Sequence, residues 1–307
     1  MTLNLKSFRK SLIYSRSGVG KELIADLNVI AQSDAIAEAT SKKLNRFTTI
    51  SVIGLFSTFL IGIFAQLIFA FAITGIFFIA LIIILILSSR NSKLNIANQR
   101  YGLPKQLIPK FLRDMEPNAP IQLAIDLRDR KHKQKKVDTI PDPRRAKWKI
   151  DRYADSWLQM QGQFLDQTRF QLEITEFTVE KYGWKRSRSG KSKFKRKTKP
   201  KGSEISLALQ FPRSKYGAIS ILGESLAEAI ALPDNAQVKR LKVANNRLFL
   251  TVKTPLLAQS PALYSKNKGA EQIDKDAMDH ADQLITQMML SLYHGLNLAK
   301  KLSQPTS

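Results

Sequence analysis

The chain has 307 residues, no cysteine, three histidines, and 49 Lys and Arg against 25 Asp and Glu, a formal charge of +24. Without cysteine it cannot be a disulfide scaffold, an iron–sulfur protein or a thiol enzyme, and His132, His280 and His294 are too scattered to suggest a histidine metal site. An apolar content of 44% argues against wholesale disorder, and the length accommodates about two folded units.

Residues 1–46 read as a cytoplasmic amphipathic helical segment in two pieces. Leu3, Leu5, Phe8 and Leu12 with Lys6, Arg9 and Lys10 form a short basic stretch of the kind that lies on anionic membranes. After Gly18-Val19-Gly20, the residues Leu23, Ile24, Leu27, Ile30, Ala31 and Ile36 recur at helical spacing. Gly18 to Lys21 lacks the spacing and the preceding strand of a phosphate loop, so it reads as a turn before a helix.

Residues 47–89 contain no charged side chain. As one helix this block would be about 64 Å long, twice the ~30 Å hydrocarbon core of a bilayer. The expectation is a transmembrane hairpin with spans at Thr48 to Gln66 and Phe69 to Leu87, turning at Gln66. Lys42, Lys43 and Arg46 before it and Arg90, Lys93 and Arg100 after it place both termini in the cytoplasm by the positive-inside rule. The first 20 residues have no apolar run long enough for a cleaved signal peptide. The block holds no ionisable group to mark an ion pathway, and Thr58 to Gly62 and Ala70 to Thr74 are small-residue spacings that favour close helix approach.

Residues 90–307 read as a cytoplasmic α+β domain with a mixed, mostly antiparallel sheet. The second spanning helix is expected to continue to Tyr101 and stop at Gly102 and Pro104, with a short helix over Gln106 to Met115. Ile121, Leu123, Ile125 and Leu127 alternate as a half-buried strand, followed by a strongly charged exit from Arg128 to Lys136. Further strands are expected at Trp157 to Phe164, Phe170 to Val179, Ile205 to Phe211, Tyr216 to Leu222, Val238 to Val243 and Arg247 to Lys253, with a short helix at Glu224 to Ala231. Ala244-Asn245-Asn246 suits a tight turn. The chain closes with an amphipathic helix from Glu271 to Lys301, whose stripe is Ile273, Ala277, Ala281, Leu284, Ile285, Met288, Leu292 and Leu296.

Eleven of the basic residues, and no acidic one, fall in residues 181–201, KYGWKRSRSGKSKFKRKTKPK. This segment reads as a polybasic loop between two strands, projecting as a flexible polycation. Lys185, Arg186, Arg188, Lys191, Lys193, Lys195, Arg196, Lys197, Lys199 and Lys201 are the candidate anion-binding residues, with Trp184 and Phe194 as aromatic anchors. Three partners suit that composition. Acidic lipid headgroups gain about 1 kcal/mol per surface Lys or Arg, RNA phosphates make salt-dependent contacts, and an acidic protein subunit could cover the loop. The run resembles the basic extensions of ribosomal proteins. Ser187, Ser189 and Ser192 lie among the basic residues, where phosphorylation would release an anion.

Carboxylates concentrate in Asp151, Asp155, Asp166, Glu173, Glu176 and Glu180. Glu173 and Glu176 are expected on opposite strand faces, leaving Asp155 and Asp166 as the pair that folding could bring together for acid–base chemistry. The sequence contains no nucleophile elbow, Walker loop, dinucleotide fingerprint or zinc spacing, and no catalytic residue, metal or cofactor is assigned. The expected function is a non-enzymatic, membrane-anchored accessory or assembly protein docking an anionic partner. The alternatives are a structural subunit of a larger membrane complex and, further off, a membrane-bound hydrolase using Asp and Glu.

Overall fold

The computed structural model describes residues 3–65, 68–92, 94, 96–187, 189–217, 219–222, 225–228, 230–244, 246–255 and 270–303. The chain divides into two units, residues 26–97 and residues 2–25 with 98–307.

The first unit is built from two helices long and apolar enough to cross a membrane. Helix α2 runs Gly20–Phe64, beginning in the other unit, and α3 runs Ile68–Ser92. Gln66, the expected turning point, lies outside the described residues, but the helix ends bracket it. The amphipathic helix expected to end before the membrane block is instead continuous with it, because nothing between Gly20 and Phe64 breaks a helix: there is no proline there and no glycine until Gly54. Leu23, Leu27 and Ile30 are buried as their spacing implies, whereas Ile36 is exposed. The small residues do hold the pair together. Thr58 and Thr74 hydroxyls are 2.8 Å apart, Ala70 is buried, and a Cβ added to Gly54 would come within 2.6 Å of the Phe77 ring. At the other end, Asn91 donates to Ala37 O at 2.7 Å and Ser41 Oγ at 2.8 Å.

The second unit is a one-layer sheet with helices on one face. Its strands are β1 (Ile13–Val19), β2 (Pro120–Asp126), β3 (Lys136–Pro141), β4 (Trp148–Gln163), β5 (Arg169–Arg186), β6 (Ser192–Gln210), β7 (Gln237–Ala244) and β8 (Arg247–Thr254). The order is β1-β2-β4-β5-β6-β8-β7, with β3 also on β4. Among the described residues all seven pairings are antiparallel, so the mixed sheet expected from sequence is an antiparallel one. Leu158, Met160, Leu172, Ile174, Leu207, Leu250 and Val252 are buried on one face. They meet helices α4 (Gln99–Leu112) and α7 (Ala270–Leu302), whose Leu103, Leu107, Phe111, Leu284, Met288 and Leu292 are buried too. Phe111, Phe164 and Phe170 close this core, with Phe164 and Phe170 stacked at 4.8 Å.

Several local expectations change. Helix α1 (Leu5–Ser11), capped by the Asn4 side chain, buries Phe8 inside the unit, and the next residues form β1 rather than more helix. Only Tyr14 of β1 is buried, and the next positions on its face are Arg16 and Gly18, so no apolar alternation marks this edge strand. Gly102 and Pro104 do not end a helix but lie inside α4, together with Pro109. The burial of Leu103, Leu107, Ile108 and Phe111 outweighs the roughly 3 kcal/mol that an interior proline costs. Tyr216 to Leu222 is not a strand. It holds the end of the short helix α5 (Arg213–Tyr216) and a 3₁₀ turn at Ile219–Leu222, followed by α6 (Ser225–Glu228). The α7 stripe is buried from Ala277 to Leu296 as the spacing demands.

Candidate anion-binding arm

The 181–201 segment is not a flexible loop. Strands β5 and β6 continue through it in unbroken register from Thr178↔Pro200 to Arg186↔Ser192, nine residue pairs and about 30 Å of ribbon. The connection is a short turn in which Ser187 N donates to Lys191 O at 2.8 Å and Gly190 takes φ +77. Strand β4 flanks β5 as far as Gly183, while β8 joins β6 only from Ser203, so among the described residues β6 is an edge strand along the arm. Alternating lysines on such an edge discourage pairing with another chain.

A bulge sets the arm off from the sheet. Phe177 pairs with Gly202 and Thr178 with Pro200, which leaves Lys201 without a cross-strand partner. Gly202 has φ +101, and a Cβ there would sit 3.1 Å from Thr254 O. Pro200, which lacks an N–H, is suited to this edge position.

Antiparallel register sorts the charge by face, because directly paired residues share a side. One face carries Lys181 opposite Lys197, Gly183 opposite Lys195, Lys185 opposite Lys193, and Lys199 opposite Val179. Two of these pairings set like charges directly across the ribbon, which opposes strand pairing. Lys181 reaches Asp142 at 3.3 Å, whereas among the described residues Lys185, Lys193, Lys195, Lys197 and Lys199 are exposed and have no ion-pair partner.

The opposite face carries Trp184 opposite Phe194, Tyr182 opposite Arg196, and Arg186 opposite Ser192. Trp184 and Phe194 meet edge to face, with centroids 5.6 Å apart and planes at 70°, a contact worth about 1 kcal/mol beyond area burial. The Arg196 guanidinium lies 5.5 Å from the Phe194 centroid and 5.9 Å from that of Tyr182. Lys191 is in the turn, and Lys201, in the bulge, lines an open groove with Gly202, Asp234 and Lys253. Arg188 lies outside the described residues.

The root of the arm is rigid. The Trp148 ring covers Gly183, where a Cβ would come within 2.6 Å of it, and its Nε1 donates to Trp184 O at 3.0 Å. Arg145 stacks on Trp148 at 4.6 Å. Below, Asp151 accepts from Thr139 at 2.7 Å and Tyr182 at 3.3 Å and pairs with Lys136 at 2.9 Å. Burial pushes the Asp151 carboxyl upward, but these partners outweigh it and hold the group below its ordinary range.

The other polar constellation is internal. Asp155 and Glu176 are directly opposite on β4 and β5 and almost fully buried. Arg100 pairs with Asp155 at 2.5 Å and Glu176 at 3.6 Å, Lys135 with Asp155 at 2.8 Å, and Arg130 with Glu176 at 2.7 Å. Burial raises the Glu176 pKa, with Arg130 and Arg100 acting against it. From the strongly charged Arg128-to-Lys136 stretch, Arg130 and Lys135 supply cations to this cluster. As expected, Glu173 and Glu176 lie on opposite strand faces; Glu176 is the buried one. Asp155 and Asp166, the pair that folding could have brought together, have separate partners: Asp166 accepts from Thr168, Tyr216 and Tyr293 near α7. Among the described residues no group of three or more His, Cys, Asp or Glu is arranged to hold a metal ion.

Sequence reasoning missed Tyr182 and Trp148 at the arm and the Asp155–Glu176 pair. The signal for the arm was present as alternation of lysine with Phe194, Arg196, Thr198 and Pro200, a period of two expressed in charge. No family model matches the chain, and neither curated proteins nor solved structures show one similar to it.

Proposed function

We propose that the protein is a non-enzymatic, membrane-anchored accessory protein whose arm docks an anionic partner on the cytoplasmic side. The observation that carries this reading is the lysine face: five exposed lysines, two like-charged cross-strand pairings, and no acidic residue from 181 to 201. A ribbon held in that state gains stability when phosphate or carboxylate groups arrive between the lysines. The α2–α3 pair serves as a two-pass anchor, and the cations flanking it favour cytoplasmic termini.

The test is purification of the full chain from native membranes in mild detergent, beside a variant with Gln at positions 185, 193, 195, 197 and 199. An anionic partner should accompany the first and be lost from the second. Equal recovery with both removes the arm from docking. If that partner is an acidic membrane subunit, the protein is a component of its complex. Reporter fusions at Gln66 and at the C-terminus should lie on opposite sides of the membrane; the same side for both would refute the two-pass anchor.

A further inference from the structure

The arm separates its chemistry by face, and that separation bears on the nature of the partner. Building on the docking role above, we infer that the arm binds structured RNA containing unpaired bases. Its lysine face contacts phosphates, and its Trp184–Phe194 face stacks on bases.

A bilayer surface is flat and meets one face of a ribbon at a time. If the lysine face lies on the headgroups, Trp184 and Phe194 stand on the side away from lipid. If the aromatic face lies down, Lys185, Lys193, Lys195, Lys197 and Lys199 turn to water. A bilayer therefore engages one face of the arm and leaves the other in water. A folded RNA can enclose a ribbon, with backbone on one side and splayed bases on the other.

The aromatic face suits that second role. Trp184 is 62% exposed and Phe194 45% exposed, and with their planes at 70° the rings are not stacked on each other. Arg186 and Arg196 share this face and add planar guanidinium groups, which stack on bases or bind phosphate with two donors. The root fixed by Trp148 and Gly183 presents the arm in one shape, which lowers the entropy cost of binding. A fully paired duplex hides its base faces, so it gives Trp184 and Phe194 nothing to stack on.

The full-length protein in phosphatidylcholine nanodiscs is titrated with an RNA stem–loop carrying an unpaired loop, a fully paired RNA duplex of equal length, and vesicles of phosphatidylcholine with phosphatidylglycerol. The stem–loop should bind most tightly. Glutamine at the five lysine positions should flatten the plot of log K against log salt by about 4 for the stem–loop, at roughly 0.7 to 0.9 per phosphate contact. Trp184→Ala with Phe194→Ala should weaken stem–loop binding by about 5- to 150-fold per stacked base, leaving the salt slope and duplex binding unchanged. Trp184→Phe, which keeps a ring, should retain most of the affinity and so separates loss of stacking from loss of fold.

The RNA inference is overturned if vesicles bind more tightly than the stem–loop and the alanine pair releases the vesicles. It is overturned equally if the alanine pair binds the stem–loop as the wild type does. Both results leave the docking role standing. That role falls, and the inference with it, if the five-glutamine variant binds RNA and vesicles as well as the wild type.

Discussion

Replacing Arg100 with methionine tests how the buried ion cluster is held. The side chain gives two hydrogen bonds to backbone carbonyls, Asp126 O at 2.7 Å and Arg128 O at 3.0 Å, besides its pairs with Asp155 and Glu176. Removing one partner from a buried ion pair costs about 3–5 kcal/mol. Asp155 keeps Lys135 at 2.8 Å and Glu176 keeps Arg130 at 2.7 Å, which puts the expected loss at the lower end, about 3 kcal/mol. The pH dependence is more telling. Burial already raises Glu176, and loss of Arg100 raises it further. A carboxyl whose folded pKa lies above its unfolded value loses stability as pH rises through the folded pKa, so the deficit of the variant should grow from acidic to neutral pH. Glu176→Gln added to Arg100→Met should recover part of the loss by removing the least compensated charge. Urea unfolding of the full chain in detergent, followed by tryptophan fluorescence, reads both effects, since Arg100 lies 5.7 Å from the buried Trp157 ring. A deficit below about 1 kcal/mol, or one that is constant with pH, would refute the account of the cluster.

Two further predictions concern other parts of the chain. Because the protein has no cysteine, Thr58→Cys with Thr74→Cys creates a single thiol pair where the hydroxyls are 2.8 Å apart; oxidation should cross-link it, and an unreactive pair would contradict the α2–α3 packing. Asp126 is pushed up by burial but brought down from 3.8 to about 2 by hydrogen bonds from the Arg128 side chain and backbone and by Lys135. The stability it contributes is present above 3.8 and lost as pH falls through about 2. Asp126→Asn should therefore cost about 1 kcal/mol at neutral pH, after discounting for solvent screening, and only a small part of that near pH 2; an equal cost at both pH values in chemical denaturation would exclude the electrostatic origin.

The structure brings together groups that are far apart or masked in the sequence. Asp155 and Glu176 are 21 positions apart, and only the β4–β5 register, with its shift between Ser156 and Leu158, makes them neighbours. Arg100 reaches them from α4, a helix whose Gly102 and Pro104 argue locally against it. Local propensity loses there because a few buried apolar side chains outweigh it. The arm was hidden differently: its alternation is carried by lysines, which read as a solvated loop when hydrophobicity alone marks a strand.

The sequence by itself determined the features that rest on composition and short-range period: an uncharged block long enough for two apolar helices, the α7 stripe, the half-buried strands, and the concentration of positive charge in residues 181–201. Each is a one-dimensional property, since burial of a helix or strand face needs only the right side chains at the right spacing. The tertiary structure decided what that charge amounts to. Pairing β6 with β5, with Lys201 bulged beside Gly202, sorts eight of the eleven basic residues onto a ribbon with lysines on one face and aromatics with Arg186 and Arg196 on the other. A one-residue shift of β6 against β5 would move its lysines to the Trp184 face and its Phe194 and Arg196 to the Lys185 face, and register is fixed by contacts distant in the chain.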